Sequence, residues 1–190
     1  MIYRCCNENR KAAVLGNPTL NGINYLEVID REAIGHDSPR QQTLLVHCLN
    51  PLSLPSSLAA SNILITGGES ITGITAQWVA PASAPPASPV TNAWEQSYFA
   101  SLPDKDNVLV VRTSAAGDFS PYVLRLVNNA AQASEDSFDV SEALSGFDPI
   151  LSEVEFSFKV ECPNDFDCAP PPCDCPPERS EERRVGKECQ

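Results

Sequence analysis

The sequence predicts a mainly β protein: an immunoglobulin-like antiparallel β-sandwich with a short N-terminal helix and a Pro/Cys-rich C-terminal linker. Three observations lead there. About seven short apolar or alternating runs are separated by Gly, Pro, Asn and Asp, as strands in a sandwich are. Few stretches carry a helical period. Alternation then stops at Cys162, where a run of prolines and cysteines begins.

The elements follow in chain order. "NENRKAAVL" (residues 7–15) reads as a short helix, with Asn7 at its start, helix-favouring Ala12 and Ala13 inside, and Gly16 and Pro18 to end it. Nine residues are marginal alone, so the helix is expected to dock on the rest. "INYLEVID" (Ile23–Asp30) is a candidate strand. "TLLVHCL" (Thr43–Leu49) is a dense apolar run that fits a strand buried on both faces, closed by Pro51 and Pro55. "NILITGG" (Asn62–Gly68) and "ITAQWVA" (Ile74–Ala80) follow, with Gly67, Gly68 and Gly73 at turn or bulge positions and "LITGGESITG" read as a hairpin turn.

"PASAPPASPVTN" (residues 81–92) has loop composition, and "AWEQSYFASL" (Ala93–Leu102) fits a short helix or an irregular segment. "VLVVRTS" (Val108–Ser114) is the strongest strand, and "YVLRLVN" (Tyr122–Asn128) alternates cleanly. In "EVEFSFKVE" (Glu153–Glu161), Val154, Phe156, Phe158 and Val160 fall on one face and Glu155, Ser157, Lys159 and Glu161 on the other.

Charge and length bound the function. The chain has 190 residues, enough for one cored domain with appendages, and a net charge of −12. Four of the 13 basic and four of the 25 acidic residues lie after Pro177, so the body carries the whole net charge. Nucleic-acid binding needs clustered Lys and Arg, so no nucleic-acid partner is expected. No apolar run approaches a membrane span, and "MIYRCCNENRKAA" lacks the apolar core of a signal peptide, so no membrane insertion and a cytoplasmic location are expected. The eight cysteines then read as thiols or ligands ahead of disulfides.

No catalytic set stands out, and the chain is read as a non-enzyme. His47, inside "LLVHCL", reads as a satisfied core or sheet-face residue, and His36 beside Asp37 as a turn residue. "DKDN" reads as a solvated turn and Cys48 as a small buried hydrophobe. Cys162, Cys168, Cys173 and Cys175, spaced C-x5-C-x4-C-x-C, are the candidate metal ligands, with Cys5 and Cys6 as further donors. Structural zinc sites favour C-x2–4-C knuckles, a range only one of these gaps meets. Three readings stay open: unliganded linker thiols, zinc or iron–sulfur ligation, and disulfides.

"CCNENRKAAVLGNPTLNGINYLEVID", "QQTLLVHCLNPL", "NILITGGESITGI", "DKDNVLVVRTSAAGDFSPYVLRLV" and "FDPILSEVEFSFKVECPNDFDC" occur in this order. Together they resemble the N-terminal region of bacterial baseplate assembly proteins, which belong to phage-tail-like contractile injection systems and are related to the baseplate J family. The resemblance spans Met1 to Pro177. It implies a structural component that docks on other baseplate proteins inside a phage-tail-like particle, and a longer family chain of which this is an N-terminal fragment. "RSEERRVGKEC" resembles a peptide found where reading frames run into foreign sequence, so residues 178–190 are expected to be a non-native charged tail.

The expected organisation is a helical arm at 1–20, a sandwich at 21–162, a Cys/Pro linker at 163–177 that serves as a joint, and the tail. The competing reading is a carbohydrate- or surface-binding sandwich, for which Trp78, Trp94, Tyr98 and Phe99 are the candidate contacts.

Overall fold

The computed structural model describes residues 2–4, 8–30, 33, 36–52, 58–134 and 139–159. Among them are eight strands: β1 (Ile2–Arg4), β2 (Ile23–Ile29), β3 (Thr43–Cys48), β4 (Ile63–Gly67), β5 (Ala76–Pro81), β6 (Val108–Thr113), β7 (Tyr122–Leu126) and β8 (Glu153–Phe156). They form two antiparallel sheets, ordered β1-β2-β3-β6-β5 and β4-β7-β8. With β1 set aside, this is the seven-strand order of a constant-type immunoglobulin sandwich, four strands on three. The connection between β4 and β5 crosses from one sheet to the other, so "LITGGESITG" is an inter-sheet crossover and the hairpin expectation is corrected. Its glycines serve the crossover: Gly67, Gly68 and Gly73 have φ of +101°, +87° and +69°, which a side chain would resist.

The core lies between the sheets. Leu26, Leu44, Val46, Leu109 and Val111 from one sheet meet Ile63, Leu124, Leu126 and Phe156 from the other. β3 and β6 are buried at every position, as their unbroken apolar runs predict, because the five-stranded sheet is covered on both faces. Helix α2 (Ala93–Ser101) provides the second cover. Its Phe99 packs with Ile29, Leu45, Val108 and Val110 in a separate cluster on the outer face. α2 begins at a capping box: Asn92 accepts the Glu95 N–H at 2.8 Å while Glu95 accepts the Asn92 N–H at 2.9 Å. Helix α1 (Glu8–Leu15) docks through Arg10, whose Nε donates to Asp148 at 2.6 Å.

Two elements differ from the sequence reading. Residues 2–4, assigned to an N-terminal arm, pair with Tyr25–Glu27 and extend the sheet. Of the alternating run at 153–161, Glu153–Phe156 form the strand, in which Phe156 pairs with Tyr122, the first residue of β7. Alternation still predicts burial beyond that point: Phe158 is fully buried against Tyr122 and Phe156.

Candidate docking surface

Three segments meet at one end of the sandwich: the β4–β5 crossover, the β6–β7 connection, and the chain where it leaves β8. Asp118 ties the first two together. Its Oδ2 accepts the N–H groups of Ser70 at 2.7 Å and Ile71 at 3.0 Å, and its Oδ1 accepts the Ser120 N–H at 3.0 Å and the Ser120 hydroxyl. The Ser120 hydroxyl oxygen also accepts the Glu69 N–H at 3.0 Å. The Ser120 hydroxyl bond and the backbone donors outweigh burial and hold the Asp118 carboxyl far below the ordinary carboxylate range.

Tyr122, at the start of β7, completes the corner. Its hydroxyl accepts the Asp118 N–H at 3.1 Å and lies 2.7 Å from the Ile71 carbonyl, to which it donates. Burial raises its pKa, so it remains a phenol. This matches the tyrosine corner of immunoglobulin-type sandwiches, where a hydroxyl at the start of strand F bonds back upstream. The loops so fastened present two large apolar side chains outward, Ile71 at 39% exposure and Phe119 at 47%. The exit is fastened as well. A Cβ added at Gly117 would lie 2.3 Å from Phe158, so that glycine makes the slot the phenyl ring fills. Lys159 Nζ donates to the Gln41 side chain at 2.7 Å.

Elsewhere the buried titratable groups serve the fold. Arg112 on β6 pairs with Glu95 of α2 and lies 5.3 Å over the Trp78 ring. His47 stacks on Tyr25 at 4.1 Å, with Asp104 2.7 Å from Nδ1 and Glu27 3.2 Å from Nε2. Asp104 is therefore more than a solvated turn residue: it links the "DKDN" turn to β3. The reading of His47 as a satisfied sheet-face residue agrees with this geometry. These two clusters fasten the sheet to α2 and to the turn that follows it, with the apolar Phe99 cluster as the third element of the outer layer.

The candidate sugar-contacting aromatics are also engaged internally. Phe99 is buried, Trp78 lies under Arg112, and Trp94 stacks with His36 at 4.4 Å and Tyr98 at 5.2 Å. Cys48 is buried in the core, and desolvation pushes its thiol up to about 12. The candidate metal ligands Cys5, Cys6, Cys162, Cys168, Cys173 and Cys175 lie outside the described residues. Among the described residues, no three of His, Cys, Asp and Glu converge in a metal-holding group, and no helix is long and apolar enough to cross a membrane.

Sequence reasoning missed the Asp118–Tyr122 corner. Its signal was present in "GDFSPY", an aspartate four residues before a tyrosine that opens a strand. A family model described as "Phage baseplate assembly protein, N-terminal domain" matches residues 1–156. No curated protein and no solved structure matches.

Proposed function

Because the chain belongs to the family of phage baseplate assembly protein N-terminal domains, we propose that it is a structural part of the baseplate of a phage-tail-like contractile injection system, and that it acts by docking on other baseplate proteins. The family match over residues 1–156 carries this reading. The geometry supports it: rigidly fastened loops hold Ile71 and Phe119 outward, and preordered apolar side chains lose less entropy on binding than mobile ones.

The Cys/Pro segment from Cys162 onward is a joint in this reading, and zinc or iron–sulfur ligation by its cysteines is one way to stiffen it. Zinc and iron analysis of anaerobically purified protein tests that part.

The docking role is tested by expressing the chain with the tail-particle genes of its source and probing purified particles for it. Its presence in sheathed particles, and its loss with Ile71→Asp/Phe119→Asp, is the expected result. Particles that assemble fully without it exclude the role.

A further inference from the structure

Successive residues of a strand turn their peptide groups to opposite sides. In the ladder between β4 and β7, Ile63 pairs with Leu126 and Ile65 with Leu124. The Val127 N–H bonds to the Asn62 carbonyl at 2.9 Å and the Gly68 N–H to the Pro121 carbonyl at 3.2 Å. The even-numbered residues therefore face β7, and Ile63, Ile65 and Gly67 face the outer edge of the three-stranded sheet. The Ile63 N–H is taken by the Ala60 carbonyl. The remaining edge groups include the carbonyls of Ile63 and Ile65 and the N–H groups of Ile65 and Gly67.

Those two acceptors and two donors are self-complementary about Ile65. We propose that β4 pairs antiparallel with β4 of a second copy of this chain, centred on Ile65, so that two three-stranded sheets join into one. Ile65 exchanges both bonds with Ile65 of the partner subunit, and each Gly67 N–H meets the other chain's Ile63 carbonyl. The Gly67 carbonyl, whose counterpart N–H is already taken, stays at the exposed end of the seam.

The side chains fit this register. Ile65, opposite its own copy, keeps its side chain in the inter-sheet core of its chain, and half-buried Leu64 lies opposite Thr66 of the partner subunit. The edge itself holds no charge, no proline and no register shift. The other three outer strands are each blunted: β1 has three residues, β8 has two glutamates in four, and β5 carries a register shift and ends in Pro81. Variable-type immunoglobulin sandwiches carry their additional strands at the corresponding edge, so the fold leaves room there. A two-fold pairing of one edge with itself also closes, as an isologous contact must. The inference does not depend on the baseplate reading.

A seam this short buries less than a standard interface, and each copy carries a net charge of −12, so association is weak and strengthens with salt. Sedimentation equilibrium of the full chain under reducing conditions tests it. The expected mass rises from 20.5 kDa towards twice that value with concentration, and rises further at high salt.

Amide exchange at Ile65 and Gly67 should slow at least about tenfold as dimer forms, while the ladder amides of Leu64 and Thr66 stay protected throughout. The variant Leu64→Glu/Thr66→Glu places carboxylates opposite each other across the seam, while position 64 lies beside Arg125 within the chain. It should weaken association at least about tenfold with circular dichroism unchanged. If the variant unfolds, the wild-type exchange experiment decides alone. A monomer at every concentration, or a dimer with Ile65 unprotected, overturns the proposal.

Discussion

The Tyr122 hydroxyl accepts the backbone N–H of Asp118 at 3.1 Å, and in the same position reaches the carbonyl of Ile71 at 2.7 Å. One phenol thus spans two of the connections that cross between the sheets. Tyr122→Phe keeps the ring against Phe156 and Phe158 and removes only that hydroxyl. Urea unfolding should show a loss of about 1–3 kcal/mol, the cost of stranding partly buried polar groups. An unchanged midpoint would show that the corner holds without it.

Asp118 has a folded-state pKa far below its unfolded value, through the Ser120 hydroxyl first and then the Ser70, Ser120 and Ile71 donors. A depressed carboxyl contributes stability that is complete above the unfolded pKa of about 4 and is lost as pH falls towards the folded one. Wild type should therefore exceed Asp118→Asn in stability most at pH 7. The gap should narrow steadily once pH drops below about 4, as read by thermal melts across pH.

Glu95 and Arg112 are both buried, and Arg112 bonds Glu95 through Nη2 while its Nε has no hydrogen-bond partner. Glu95→Ala leaves a buried cation without its partner and should cost about 3–5 kcal/mol. Glu95→Leu/Arg112→Met removes both charges and should be markedly less destabilised than the single change. Chemical denaturation of both variants checks this ordering, and equal losses would refute it.

Cys48 lies in the inter-sheet core with its thiol pushed up to about 12 by desolvation. Alkylation with iodoacetamide at pH 8, followed by peptide mass spectrometry, should leave Cys48 unmodified in the native protein. Full modification is expected in denaturant. Rapid native labelling would mean that the core opens.

Gly117→Ala would set a methyl 2.3 Å from Phe158 Cδ2 and 2.7 Å from Tyr122 Cζ. Overpacking of this kind costs about 1–3 kcal/mol. The NMR ring signals of Phe158 and Tyr122 should shift together, since one slot holds both. Loss of stability with those signals unmoved would place the strain elsewhere.

Seven of the eight strands stand out in the residue pattern, because each buries one or both faces and period-two alternation or an unbroken apolar run records that burial. β1 escapes notice because three residues are too few to show a period. α2 was ambiguous because its apolar residues do not mark a helical stripe; Asn92 and Glu95, three apart, were the better sign. The Glu95 carboxylate both caps that helix and pairs with Arg112, a second role that no local pattern carries.

Length, alternation, turn residues and charge were enough to determine a two-sheet antiparallel protein and to place its strands within a few residues, since these depend on local geometry and burial. The sequence motifs alone also pointed to the baseplate family. Tertiary structure decided which strands share a sheet, that Gly67 and Gly68 lie in an inter-sheet crossover, that Asp104 serves His47, and that Asp118 and Tyr122 fasten one end. Those outcomes depend on groups separated by tens of residues, brought within about 3 Å only when the two sheets pack. A period-two pattern reports which face of a strand is buried, but it carries no information on which partner lies across from it.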